Sequence, residues 1–174
     1  DSGSNAHLGT GSAFVVEADE SDGSFLRLDA SVGIITNIEP DHLNYWGTAE
    51  AMEQGFLDFA TGIRDRGGFV VMCADDPGAA AMTRRARAVG VDVRTYGMQQ
   101  PADYAVTVAE ATGESSTFVI EGPDLSVTAH VGVGGLHNVL NATAAMVAAA
   151  GAGFPTDGIV EGIGEQGFSI HHAT

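Results

Sequence analysis

The sequence predicts an α/β fold: a mostly parallel sheet flanked by helices, with a small antiparallel meander attached. Three observations predict it. Short apolar runs bounded by turn residues recur at 13–16, 32–38 and 69–73, each too short for a helix, and 91–96 reads as a fourth strand. Segments of helical spacing separate the later runs, and strands alternating with helices imply crossovers, a parallel sheet and helices on both faces. After Pro101 the pattern becomes an apolar–polar alternation broken by glycine-containing turns, as antiparallel strands with one solvated face read.

The elements follow in order. AFVV (13–16) enters Glu17 and VGIITNI (32–38) enters Glu39, so both read as buried strands ending in acidic residues. Residues 48–63 place Met52, Phe56, Leu57 and Phe59 on one side of a helix. FVVMC (69–73) is a third buried strand. Asp76-Pro77 opens a helix through about residue 89: proline suits a first turn, and Asp75 or Asp76 can cap it. Residues 91–96 make a fourth strand. Segments 103–110, 116–121 and 125–131, joined by TGES and EGPD, make the meander within 103–131. An alanine-rich helix then runs over 136–150 with Gly151 as its stop, and Phe154-Pro155-Thr156 starts a short last helix. The final EQGFSIHHAT shows no periodicity.

With 174 residues the chain reads as one domain with a sizeable core. Asp and Glu total 23 against 7 basic residues, all of them arginine, for a net charge of −16. Nucleic acid and anionic membrane both need a basic footprint, so neither is expected as a partner. No apolar run is long enough for a spanning helix. The single Cys73, inside FVVMC, reads as a buried reduced thiol in a cytoplasmic protein.

Three constellations could carry chemistry. Glu17-Ala18-Asp19-Glu20-Ser21-Asp22 stands where a strand ends, the side of an open α/β sheet that faces ligands. Carboxylates so crowded repel unless cations or donors compensate, and Mg²⁺ takes such oxygens beside phosphates and water. Spacing alone divides evenly between that reading and an acidic strand exit. Asn37-Ile38-Glu39-Pro40-Asp41-His42 closes the next strand, so two parallel neighbours would share an acidic edge with His42 beside it. Taken alone, His42 reads more readily as a surface histidine. Gly134-Gly135-Leu136-His137-Asn138 starts a helix, where free N–H groups favour an anion or polar ligand. Asn138 and Asn141 share a helix face and could meet an adenine edge; a helix cap is an equal reading of Asn138. A phosphate loop, G-x-x-x-x-G-K-[ST], is excluded in a chain without lysine.

EADESDGSF (17–25), TNIEPDHLNYWGT (36–48), MCADDPG (72–78) and GLHNVLNATAA (135–145), in that order, resemble the central ATP-binding domain of the Mur ligases, and SGSNAHLG (2–9) resembles the segment preceding the acidic motif. The nearest likeness is to the branch that uses L-alanine. The resemblance implies a phosphate-loop NTPase-like domain over 1–163, an atypical tail over 164–174, and a phosphate loop with its strand upstream of residue 1, together with N- and C-terminal domains. It implies ATP and Mg²⁺ as cofactors, UDP-N-acetylmuramate and L-alanine as substrates, and amide formation through an acyl phosphate. Glu17 and His42 would then be metal ligands at the catalytic centre. Asn138, Asn141 and His137 would hold the nucleotide, and Asn5 would reach the muramyl substrate. The chain departs from the pattern in its tail, where Phe168-Ser169-Ile170-His171-His172 replaces an aromatic–glycine segment and paired arginines, and at Asn44, where aspartate is common.

Other readings are a non-catalytic divalent-metal or nucleotide-binding module, motivated by Glu17, Glu20, Asp41 and His42, and another ligase of the superfamily, either the murein-tripeptide ligase or folylpolyglutamate synthase. As a piece, the chain is expected to show no turnover alone.

Overall fold

A computed structural model describes residues 6–7, 11 and 13–165, the side chains of Ala6, His7 and Glu165 excepted. Strands β1 (Ala6–His7) and β2 (Val15–Val16) pair antiparallel as a separate ribbon. A 3-10 turn (Ser24–Arg27) precedes β3 (Val32–Ile35), α1 (Leu43–Trp46) and α2 (Ala49–Asp65). Then follow β4 (Phe69–Cys73), α3 (Pro77–Ala88), β5 (Asp92–Gly97), β6 (Tyr104–Ala111), β7 (Ser116–Glu121), β8 (Ser126–Val131), α4 (Leu136–Gly151) and α5 (Thr156–Glu165).

Strands β3 to β8 form one sheet in chain order. The first four run parallel, β7 runs antiparallel to β6 and β8 antiparallel to β7, so the expected meander continues the parallel sheet. Every residue of β4 is buried, and its alternate side chains serve two cores. Phe69, Val71 and Cys73 join Tyr96, Phe118, Ile120, Val139 and Met146 beneath α4. Val70 and Met72 join Met52, Ile63, Met82 and Val93 beneath α2 and α3. A continuous apolar run is what a strand covered on both faces requires.

The helix starts follow the local chemistry. Thr48 Oγ1 accepts the Ala51 N–H at 3.1 Å at the head of α2, and Asp76 accepts the Ala79 N–H at 2.7 Å ahead of Pro77. Gly151, expected as the stop of α4, is still helical; Ala152 caps the helix and Gly153 takes the positive φ of 88°. The glycine at 151 is needed for another reason. A Cβ there would lie 2.1 Å from Arg94 Nη1 and 2.5 Å from Phe69 Cζ, where the Arg94 guanidinium stacks on the Phe69 ring at 3.9 Å.

One expectation fails outright. Residues 13–16 are not a buried strand beside 32–38: Val15 is 76% exposed, Phe14 is 59% exposed, and among the described residues β2 pairs with β1 alone. Four apolar residues specify a wish for burial but not a neighbour. Among the described residues β3 is paired on one edge only, to β4, and Ile34 remains 43% exposed. The second strand is also shorter than read. It ends at Ile35, and Ile38 reaches the core separately beyond exposed Thr36 and Asn37. No described helix is long and apolar enough to cross a membrane.

Candidate functional site

The loop that leaves β3 carries Glu39, Asp41 and His42, and two ties hold its start. Asp76, at the head of α3, accepts the Ile38 N–H at 3.1 Å. Gly78 packs so closely beneath that a Cβ would lie 1.9 Å from the Ile38 carbonyl oxygen. The loop then ends on His42, which has φ 50° and is the one non-glycine residue with positive φ among those described. That conformation costs an L-residue on the order of 1 kcal/mol. It is held by the Asp41 carboxylate, which accepts the His42 N–H at 2.6 Å, and by the first turn of α1, whose Tyr45 N–H donates to the His42 carbonyl at 2.9 Å.

The acidic segment 17–22 folds back onto this loop. His42 Nε2 lies 3.7 Å from Glu20 Oε1 and 3.8 Å from Asp41 Oδ2, with His42 39% and Glu20 45% exposed as side chains. The segment is shaped by its own hydrogen bonds: Asp19 accepts the Ser21 N–H and Asp22 accepts the Ser24 N–H, both at 2.8 Å. Hydrogen bonds from the Ser21 side chain and backbone hold the Asp19 carboxyl below its ordinary value, and those from Ser24 do the same for Asp22. Both hydrogen-bond sets thus favour the charged carboxylate.

Aromatic packing joins the two loops. The Trp46 indole N–H donates to the Glu20 carbonyl at 3.0 Å. Its ring sits over Gly55 of α2, where a Cβ would meet the indole at 2.7 Å. Tyr45 lies as closely over Gly23, whose φ is 67°. Phe25 packs against Phe56 and Phe59, with ring centroids 5.3 Å apart in each pair, and against Trp46 at 6.2 Å. Trp46, the only tryptophan of the chain, stands four positions after the last residue of the EPDH run, so its presence was a signal; its partner Glu20 is readable only in three dimensions.

The expected site residues divide accordingly. His42 is brought to Glu20 and Asp41, while Glu17 stands exposed just after β2 and makes no ion pair with His42. Among the described residues no three His, Cys, Asp or Glu side chains converge as a metal cage. An open edge of two carboxylates and an imidazole suits instead a hard divalent ion that keeps most of its coordination as water and phosphate oxygens. His137, Asn138 and Asn141 lie in the first turns of α4, with His137 exposed and both asparagines half-buried. Asn138 does not cap the helix; its amide donates to the Gly134 carbonyl at 2.6 Å, so one donor is already used. The turn after β6 packs against this start, since a Cβ on Gly134 would lie 2.3 Å from the Gly113 carbonyl oxygen. Asn5 lies outside the described residues.

The Mur ligase middle domain, as a family, matches residues 5–149. The UDP-N-acetylmuramate–L-alanine ligase of Saccharopolyspora erythraea is 44% identical over 171 residues, covering 96% of this chain and 34% of that protein. The same enzyme of Acidothermus cellulolyticus is 43% identical over 94% of this chain and 34% of its own. Among solved structures, UDP-N-acetylmuramate-alanine ligase MurC of Thermotoga maritima superposes with a TM-score of 0.68 at 23% identity, over 84% of this chain and 31% of that one, a likeness of fold. The chain spans about a third of the length of the curated relatives it matches. A family match over most of the chain, on an α/β sheet shared with a solved ligase, leaves one conclusion: this chain belongs to the Mur ligase middle-domain family.

Proposed function

We propose that the chain is the ATP-handling middle part of a bacterial cytoplasmic enzyme that joins L-alanine to the lactyl carboxylate of UDP-N-acetylmuramate, in peptidoglycan precursor synthesis. The observation that carries this reading is the 44% identity to a relative of that name across nearly the whole chain. Residues 1–163 are the domain's share and 164–174 diverge from it.

His42 and Glu17 hold Mg²⁺ in this reading, and the proximity of Glu20 and Asp41 to His42 adds carboxylate oxygens to the same edge. Bound there, the ion supplies charge neutralisation, which lets a carboxylate approach a triphosphate. The residues of the chain do the rest by position. The αL backbone of His42 and the Asp76 tie at Ile38 fix where the imidazole stands. His137, Asn138 and Asn141 offer donors and acceptors for the nucleotide at the start of α4, and Asn5 serves the muramyl substrate.

The test is a chimera in which this chain replaces the matching segment of the Saccharopolyspora erythraea relative. ADP formation dependent on both UDP-N-acetylmuramate and L-alanine is expected, falling at least a hundredfold in His42→Ala and in Glu17→Ala. A folded, monodisperse chimera that forms no ADP overturns the assignment.

A further inference from the structure

We propose that Trp46 is a positioning residue that sets the spacing between the acidic loop and His42, and so the affinity of this edge for a divalent cation. The proposal rests on the metal reading of His42 given above. The indole is tied at three points. Its N–H donates to the Glu20 carbonyl at 3.0 Å, so it grips the backbone of the residue whose carboxylate lies 3.7 Å from His42 Nε2. Its ring rests where Gly55 has no side chain: a Cβ there would lie 2.7 Å from two indole carbons. Its own backbone N–H donates to the His42 carbonyl at 3.2 Å. One residue thus holds the loop of Glu20, the surface of α2 and the turn that keeps His42 at positive φ.

Both carboxylate and imidazole are more than a third exposed, so their mutual attraction is too weakly felt through water to fix their spacing. The rigid contacts lie with Trp46. Tyr45 over Gly23 seats the same loop one residue earlier in α1 and meets the Trp46 ring edge-on at 5.1 Å, while Phe25 packs on Trp46 at 6.2 Å. Outer groups that orient ligands typically change metal affinity by about tenfold or more when removed.

The experiment uses the whole 174-residue chain labelled with ¹⁵N. Because the chain has one tryptophan, it gives a single indole N–H resonance. In the wild type that proton should exchange with solvent at least tenfold more slowly than in free tryptophan; exchange at the free rate overturns the proposal whatever the metal does. Mn²⁺ at low millimolar concentration should broaden the amide resonances of Glu20 and His42. Two variants then separate position from stability. Trp46→Phe keeps a ring but loses the donor, and Gly55→Ala keeps the indole but removes its seat. Each is expected to raise the Mn²⁺ concentration for half-maximal broadening roughly tenfold, with the spectrum otherwise folded. Unchanged half-maximal concentrations in both folded variants overturn the positioning role. A protected indole in a wild type that shows no Mn²⁺ broadening overturns instead the metal reading on which the proposal rests. Should Gly55→Ala fail to fold, Trp46→Phe decides alone.

Discussion

The carboxylate of Asp76 accepts the backbone N–H of Ile38 at 3.1 Å while the same oxygen caps α3 through Ala79 at 2.7 Å. One side chain therefore starts a helix and anchors the loop that carries His42. Replacing it should cost more than an ordinary cap. Asp76→Ala is expected to lower the unfolding free energy by about 2 kcal/mol, and Asp76→Asn by about half that, because the amide oxygen can still accept. Urea denaturation measures both, and a loss under about 0.5 kcal/mol in Asp76→Ala would contradict the double role.

Gly78→Ala should be worse. The added Cβ meets a backbone oxygen 1.9 Å away rather than a side chain that can turn aside, so a loss of about 3 kcal/mol is expected. Gly113→Ala is the control: nothing lies within 4 Å of its Cβ position, and its midpoint should barely move.

At His42 stability and function oppose each other. The residue pays for a left-handed backbone at φ 50°, so His42→Gly is expected to stabilise the chain by roughly 1 kcal/mol. The same change should abolish Mn²⁺ broadening at Glu20. Thermal melting checks the first part, and a lower melting temperature would show that the His42 side chain supports the fold.

Asp103 sets an acid limit. Burial alone would raise its carboxyl, but the Thr95 N–H and hydroxyl, each 2.8 Å away, and the Arg87 guanidinium at 2.6 Å outweigh that and hold it below its ordinary value. A lowered folded value favours the charged form. Its stabilisation is therefore complete above the ordinary carboxylate range, near pH 4, and is lost as pH falls through the lower folded value. Asp103→Asn should cost about 1 kcal/mol at pH 7, since the side chain is 41% exposed, and should flatten the decline below about pH 4. An unchanged acid slope in urea melts taken at each pH would refute this.

Tyr104 limits the other end. Burial and then the hydrogen bond it donates to Asp124 push its hydroxyl up to about 12. A raised value favours the neutral form in the fold, so this contribution is whole below pH 10 and fades between about pH 10 and pH 12. Tyr104→Phe should remove that alkaline loss, read as the unfolding free energy at pH 9 against pH 11.

What the sequence shows of this fold is the part governed by periodicity. β4, α3 and the meander could be read nearly to the residue because β4 is covered on both faces and the meander strands alternate about one face. Residues 13–16 misled because an apolar run states a preference for burial without naming the strand that would supply it. Gly151 misled because a glycine can end a helix or admit a neighbour, and here Arg94 and Phe69 decide. At the site, His42 and its acidic neighbours were visible as residue types. That Glu20, rather than Glu17, stands next to the imidazole depends on a turn tied by Trp46, a contact spanning 26 residues that no local pattern encodes.

The sheet has two unlike halves in time as well as in direction. In the meander, Ala111 pairs with Ser116 and Glu121 with Ser126, so those ladders close over a few residues, on the microsecond scale of hairpins. Val32 must instead wait for Phe69 across the whole of α1 and α2, a far longer loop to close before any contact rewards it. Refolding should then run from β7 outward to β3. The loop that carries His42, hung on the last strand to join, is put together at the end; amide protection in pulse-labelled refolding would appear at Phe118 before Ile35.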